Sequence, residues 1–216
     1  DMGLSIGHGR RWARKFGMGS YYNSVIKAFG SNLIGYWPLW EASGSTATDI
    51  SGNGRNGAYT NVTLGQTGIG DGKTAAKFVT SPDSKMNPYS AGLASAANLD
   101  EGFVSLWLAI DAPELWADTN IYVSAFLTID FTSGIVIRKV GANSLAVFRR
   151  KAAQVASIVL DCPTTARWLH IGFAWSVAQG KEWAYINGVK KIPTTVALNA
   201  MAGSLAAAGT VFGSSS

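Results

Sequence analysis

One stretch, residues 33–57 (LIGYWPLWEASGSTATDISGNGRNG), limits the folds open to this chain more than any other. It begins as an apolar run through Leu39, then turns to Ser, Thr, Gly and Asn in a tight loop that ends at Gly57. Within that loop Asp49, Ser51 and Asn53 each carry a side-chain oxygen able to fold back onto nearby amides. Gly52, Gly54 and Gly57 supply positive φ where other residues would be strained. Residues 33–39 therefore read as an early strand of an all-β sandwich, with the loop packed across one end.

The rest of the chain repeats the theme of short apolar runs between turns. Strands are expected at residues 57–62, 75–80, 103–110, 121–130, 134–139, 144–150, 155–160, 168–176, 182–186 and 189–192. Gly141-Ala142-Asn143 forms the turn of one hairpin and Asn187-Gly188 that of another. The run 103–110 (FVSLWLAI) is nearly all apolar, as a central strand covered on both faces would be. In the strand 168–176, alternation puts Leu169, Ile171, Phe173 and Trp175 on one face, assigned to the core. Apolar residues at 47%, charged residues at only 14% and 25 glycines suit strands joined by turns better than helices with charged faces. The chain's 216 residues suffice for one sandwich with a sizeable core. Cys162 is the single cysteine, so stability must come from packing rather than from an internal disulfide.

The N-terminal region has a different character. Arg10, Arg11, Arg14, Lys15 and Lys27 stand against Asp1 alone in the first 30 residues, a net +4. The other 186 residues carry thirteen basic and twelve acidic groups. Residues 1–20 have no sustained period and read as an arm that orders only against a neighbouring subunit or anionic surface, with Arg10, Arg11, Trp12, Arg14 and Lys15 as the docking residues. Nucleic-acid binding is disfavoured, because cations and aromatics form no recognisable motif there. In residues 21–29, Tyr22, Val25, Ile26 and Phe29 fall at helical spacing with Gly30 as a stop, which predicts a short helix. No apolar run reaches the roughly 18 residues of a membrane span. The chain opens on Asp1 without an apolar leader, as a processed chain or a fragment would.

Three pieces carry a resemblance. The run Tyr36-Trp37-x-Leu39-x-Glu41-x-Ser43-Gly44, followed by Asp49-x-Ser51-Gly52-Asn53-Gly54, is similar to the opening of LamG-like domains. Arg167 to Trp175 is similar to that family's Trp-x-His-Val strand, and Ala184 to Val189 to its Tyr-x-Asn-Gly hairpin. They come in the family's order and span about residues 33–191. The resemblance implies a concanavalin A-like antiparallel β-sandwich (jelly roll) over residues 33–216, preceded by the basic arm and short helix of residues 1–32. It also implies a further closing strand, for which the Ala- and Gly-rich tail after Leu198 reads as a poor candidate. Residues 33–39 are then expected to leave an open sheet edge that a neighbouring subunit or a further stretch of chain completes.

Several groups could carry function. Asp49, Ser51 and Asn53 sit at alternate positions with Gly54 sixth, like the first half of a calcium loop. The bidentate acid that closes such a loop is missing, because Thr60 stands there. Related LamG-like domains often hold calcium, and Asp71 and Asp83 are the nearest further acids. The other reading is an Asx turn with no cofactor. Sugars are bound by aromatic faces beside planar polar groups, which makes Trp40, Trp116, Asp118, Asn120 and Trp183 candidates for a glycan site. Arg138, Lys139, Arg149, Arg150 and Lys151 cluster on one hairpin and would suit an anionic partner, or serve to keep an exposed edge from aggregating. His170 reads as a packed, hydrogen-bonded histidine. Nothing resembles the acidic pair of a glycosidase or a hydrolase motif, which points to a non-enzymatic protein. The Tyr21-Tyr22 lead-in resembles LamG-like domains of bacteriophage structural proteins. The expected role is a virion subunit, either capsid decoration or tail-associated, that displays a lectin-like sandwich. The alternative is a secreted or cell-surface carbohydrate-binding module.

Overall fold

The computed structural model describes residues 20–79, 82–118, 124–130, 133–151, 154–163, 165, 167–191 and 198–213. Helix α1 (Ser20–Phe29) leads into the body, and a second short helix, α2 (Ala91–Ala96), is capped by the Ser90 hydroxyl accepting from the Leu93 amide at 3.0 Å. The strands are β1 (Thr46–Ala47), β2 (Gly57–Thr60), β3 (Thr63–Thr67), β4 (Thr74–Lys77), β5 (Lys85–Asn87), β6 (Glu101–Ala109) and β7 (Ser124–Asp130). They continue as β8 (Ser133–Gly141), β9 (Ser144–Lys151), β10 (Gln154–Asp161), β11 (Trp168–Ser176), β12 (Lys181–Ile186), β13 (Val189–Lys191) and β14 (Thr210–Gly213).

Every ladder is antiparallel. One sheet runs β1-β2-β5-β14-β7-β8-β9-β10, a second runs β13-β12-β11-β6, and β3 with β4 forms a separate ribbon. Strict alternation explains why the two large sheets stack. Ile135, Ile137, Leu145, Val147, Ile158 and Leu160 leave the first sheet on one face, and Leu108, Leu169, Ile171, Phe173, Trp175, Ala184 and Ile186 leave the second. All are buried and share one core, so the chain is an all-β sandwich. Each such aliphatic side chain contributes about 1.5–3 kcal/mol by leaving water. Leu169, Ile171, Phe173 and Trp175 occupy the positions that alternation assigned them. The Asn187-Gly188 turn has φ of 50° and 81°, the pair of positive values a two-residue hairpin loop needs.

Four expectations are corrected. Residues 33–39 join no ladder. Pro38 has no amide to donate and Leu39 sits at φ 59°, so the run cannot continue as a regular strand. Its polar backbone is satisfied by the following loop instead. The Asp49 carboxylate accepts from the Tyr36 amide, Asn53 Nδ2 donates to the Leu33 carbonyl at 2.8 Å, the Arg55 guanidinium donates to the Ile34 carbonyl, and the Ile50 amide donates to the Tyr36 carbonyl.

Second, the small-residue tail does supply a strand. β14 (Thr-Val-Phe-Gly) lies between β5 and β7, and Gly209 just before it and Gly213 at its end let it fit. A Cβ on Gly209 would lie 1.9 Å from Thr128 Oγ1, and one on Gly213 would meet Phe78 and the Ser84 carbonyl within 2.6 Å. Third, β6 is not a strand covered on both faces. It borders its sheet, and Phe103 and Trp107 remain 45% and 37% exposed. Gly57 also differs from its expected role: it has no positive φ and starts β2, where a Cβ would come 2.6 Å from Met86 Sδ.

Candidate functional site

The outer face of the four-stranded sheet is the most distinctive surface of the molecule. Period-two alternation sends Phe103, Ser105 and Trp107 outward from β6, Trp183 and Tyr185 outward from β12, and His170, Gly172 and Ala174 outward from β11 between them. Register then sets them in rows: Trp107 beside His170, Ser105 beside Gly172 and Tyr185, Phe103 beside Ala174 and Trp183. Gly172 lets the Phe103 ring settle closely on β11, since a Cβ there would come to 3.1 Å from the ring and push it outward by a few tenths of an ångström. The ring lies over the glycine and meets Tyr185 edge-on at 6.5 Å.

Helix α1 extends the layer across β6. Phe29 stacks on Phe103 at 5.8 Å between centroids, and Trp107 Nε1 donates to the Tyr21 hydroxyl at 2.9 Å. Tyr22, on the helix's other flank, packs edge-on against Trp40 at 4.6 Å and donates to the Asp71 carboxylate. Burial, then that carboxylate, raises the Tyr22 phenol well above its ordinary range, so the hydroxyl stays a donor. At the middle of the layer His170 Nε2 lies 3.2 Å from Ser105 Oγ, and its ring lies 4.9 Å from Trp107. Burial lowers the His170 pKa, which keeps the imidazole neutral at physiological pH. The result is a broad, partly exposed aromatic platform with a neutral Ser–His pair in it and Lys190 over Trp183 at 5.4 Å on one flank.

Of the residues singled out from the sequence as functional candidates, Trp183 and His170 lie on this platform and the others do not converge there. Trp116 is fully buried in the core, where its carbonyl accepts from the Asn143 amide at 2.7 Å, so it is no sugar platform. Trp40 is half-buried under Tyr22, with Lys73 Nζ 4.9 Å above its ring. Asp118 caps the short turn after Trp116, and its carbonyl accepts from Lys139 Nζ. Asn120 lies outside the described residues, as do Arg10, Arg11, Trp12, Arg14 and Lys15.

Nor do the five hairpin cations make one patch. Arg138 and Arg150 lie on the face opposite the core, Arg138 exposed over the Phe148 ring at 5.3 Å and Arg150 half-buried with its Nε shielded from solvent. Lys139 donates to the carbonyls of Asp118 and Gly141, and Lys151 to that of Ala200. Arg149 points into the sandwich at 4% exposure. There it donates to the Leu99 and Asn199 carbonyls and pairs with Asp100 at 2.9 Å, tying two loops to β9.

The Asp49 loop does not fit a calcium ion. Asp49 Oδ1 accepts from the amides of Tyr36 and Ser51, and Oδ2 from that of Arg55, each at 2.9 Å. Burial raises its pKa, but bonds from Ser51, Tyr36 and Arg55 outweigh that and hold the carboxyl below its ordinary range. Ser51 Oγ in turn accepts from Asn53. These oxygens are engaged in holding residues 33–36 in place, and no group of three His, Cys, Asp or Glu residues among those described is placed to hold a metal.

The platform residues Phe103, Trp107, Tyr21 and Phe29 were missed in the sequence. The available signal was the alternation of large aromatics and Ser105 on one face of FVSLWLAI, masked by apolar residues on the other. No protein-family model and no curated protein matches the chain, so the site is read on its own chemistry.

Proposed function

We propose that this protein is a non-enzymatic, lectin-like virion subunit, a capsid decoration or tail-associated protein, whose sandwich is of the concanavalin A-like jelly-roll kind. We place glycan binding on the outer face of the four-stranded sheet. The observation that carries the reading is the platform of Phe103, Trp107, Tyr21 and Phe29, four large rings each at least 36% exposed on one face. A contiguous exposed aromatic surface marks a recognition site, and rings with hydroxyl and imidazole groups among them suit the apolar faces and hydroxyls of a sugar. A catalytic reading has less support. The Ser105–His170 pair has no hydrogen bond to a carboxylate that would orient the imidazole among the described residues, which a nucleophile–base pair calls for. The virion assignment, and with it a location on the particle surface, rests on the LamG-like motifs and the Tyr21-Tyr22 lead-in.

Glycan-array binding of the intact chain tests the recognition step. Trp107→Ala should abolish binding while leaving the thermal midpoint close to wild type. Equal binding by the two proteins, or none by either, refutes the assignment of this face. Mass spectrometry of purified virions tests the location.

A further inference from the structure

A strand at the border of a sheet offers a row of amides and carbonyls to any other strand, and folds blunt such borders with shortness, Lys, Pro or bulges. Three borders of this sandwich are managed in that way or covered. β1 has two residues, β13 has three and carries Lys190 and Lys191, and β6 lies under α1 through Phe29 and Tyr21. Among the described residues β10 has none of these protections. It is eight residues long, contains no Pro, Lys or Arg, and pairs with β9 from Gln154–Lys151 to Asp161–Ser144 without a register shift. Among the described residues it pairs with no other strand. Ser157 and Val159 face outward, Val159 at 53% exposure, while Ile158 and Leu160 beneath are 5% and 0% exposed. The core thus holds a regular border, free of cations and charged only at its Asp161 end, ready to be extended.

We infer that β10 pairs antiparallel with β10 of a second copy about a two-fold axis at Ser157, joining the two large sheets into one. The strand's own sequence selects that occupant. Opposed residues of an antiparallel ladder share a face, so the axis must fall on a residue rather than between two. With the axis on Ser157, Ser157 faces itself, Val155 faces Val159, Ala156 faces Ile158 and Gln154 faces Leu160. Asp161, the strand's one charged residue, then falls just past the ladder, beside the end at which the other copy has Lys151. An axis on Ile158 would instead set Asp161 against Val155. The contact is isologous and closes at two copies. It lies on the sheet opposite the aromatic platform, so each copy keeps its platform available and the pair is bivalent.

Sedimentation equilibrium of the full chain, from micromolar to sub-millimolar concentration, should give twice the 22.8 kDa chain mass. Val159→Lys places cations on both sides of the axis and should return the mass to one copy, with a cooperative thermal transition whose midpoint no longer depends on protein concentration. Ser157→Cys brings two Cα atoms to about 4.5–5.5 Å, within disulfide range, so mild oxidation should give a covalent dimer, whereas Asp161→Cys should not cross-link. A wild-type mass of one copy, an assembly that persists in Val159→Lys, or equal cross-linking of both cysteine variants overturns the inference. None of these readouts involves sugar, so they stand apart from the glycan assignment.

Discussion

Glu182 is the clearest point at which the structure predicts a measurable energy. It faces inward from β12 at 4% exposure, opposite Trp175 in the ladder, and its Oε1 has no hydrogen-bond partner. Burial pushes its pKa up from 4.5 to about 7, and the charge of Arg149 across the core only partly opposes this. Below about pH 4.5 the carboxyl is protonated in both folded and unfolded chains and carries no penalty. As pH rises toward 7 the unfolded chain loses its proton first, so stability falls by about 1.4 kcal/mol per unit. Above about pH 7 the full loss, roughly 3 kcal/mol, is in place.

Glu182→Gln has no charge to bury and should escape this loss. The assay is urea unfolding of both proteins, followed by tryptophan fluorescence at several pH values. Their midpoints should coincide near pH 4.5 and separate to roughly 3 kcal/mol in favour of Glu182→Gln by about pH 8. For a chain of this size that corresponds to roughly 6–12 °C in Tm. A difference that does not change with pH, or that opens in favour of wild type, would refute the reasoning. Glu182 would then be ionised and paired with Arg149 throughout, although Arg149 is already engaged by Asp100 and two carbonyls.

Other perturbations follow from the same geometry. Asp49→Ala leaves three amides without an acceptor and should destabilise on the order of 3 kcal/mol, while a chelator leaves the wild-type unfolding midpoint where it was; a chelator-sensitive midpoint would restore the calcium reading. Gly209→Ala drives a methyl into Thr128 and should displace β14, read as new protease sensitivity at the C-terminal end. Trp116→Ala should cost about 3–5 kcal/mol, far more than Trp107→Ala, and comparable values would mean the aromatic platform is structural rather than exposed for recognition.

Much of the sandwich was legible before any coordinates because its signals are local. Alternation in residues 168–176 specifies which side chains face the core whatever the neighbouring strands are, and Asn187-Gly188 specifies a tight hairpin through its own φ preferences. The short helix was readable from the spacing of Tyr22, Val25, Ile26 and Phe29. Which face of an apolar run is covered is not local. FVSLWLAI reads as buried on both sides, and only the placement of β6 at a border, with α1 over part of it, leaves Phe103 and Trp107 exposed. Trp116 and Trp183 look alike in sequence, yet one fills the core and the other lies on the outer face, because exposure depends on what packs opposite. The cationic hairpin likewise seemed one patch until alternation sent Arg149 inward to two loops distant in sequence. The tail shows the same limit from the other side: Thr210-Val211-Phe212 is too short a run to read as a strand within an Ala- and Gly-rich stretch, and it becomes one only because β5 and β7 flank it, with glycines at 209 and 213 where a Cβ would collide.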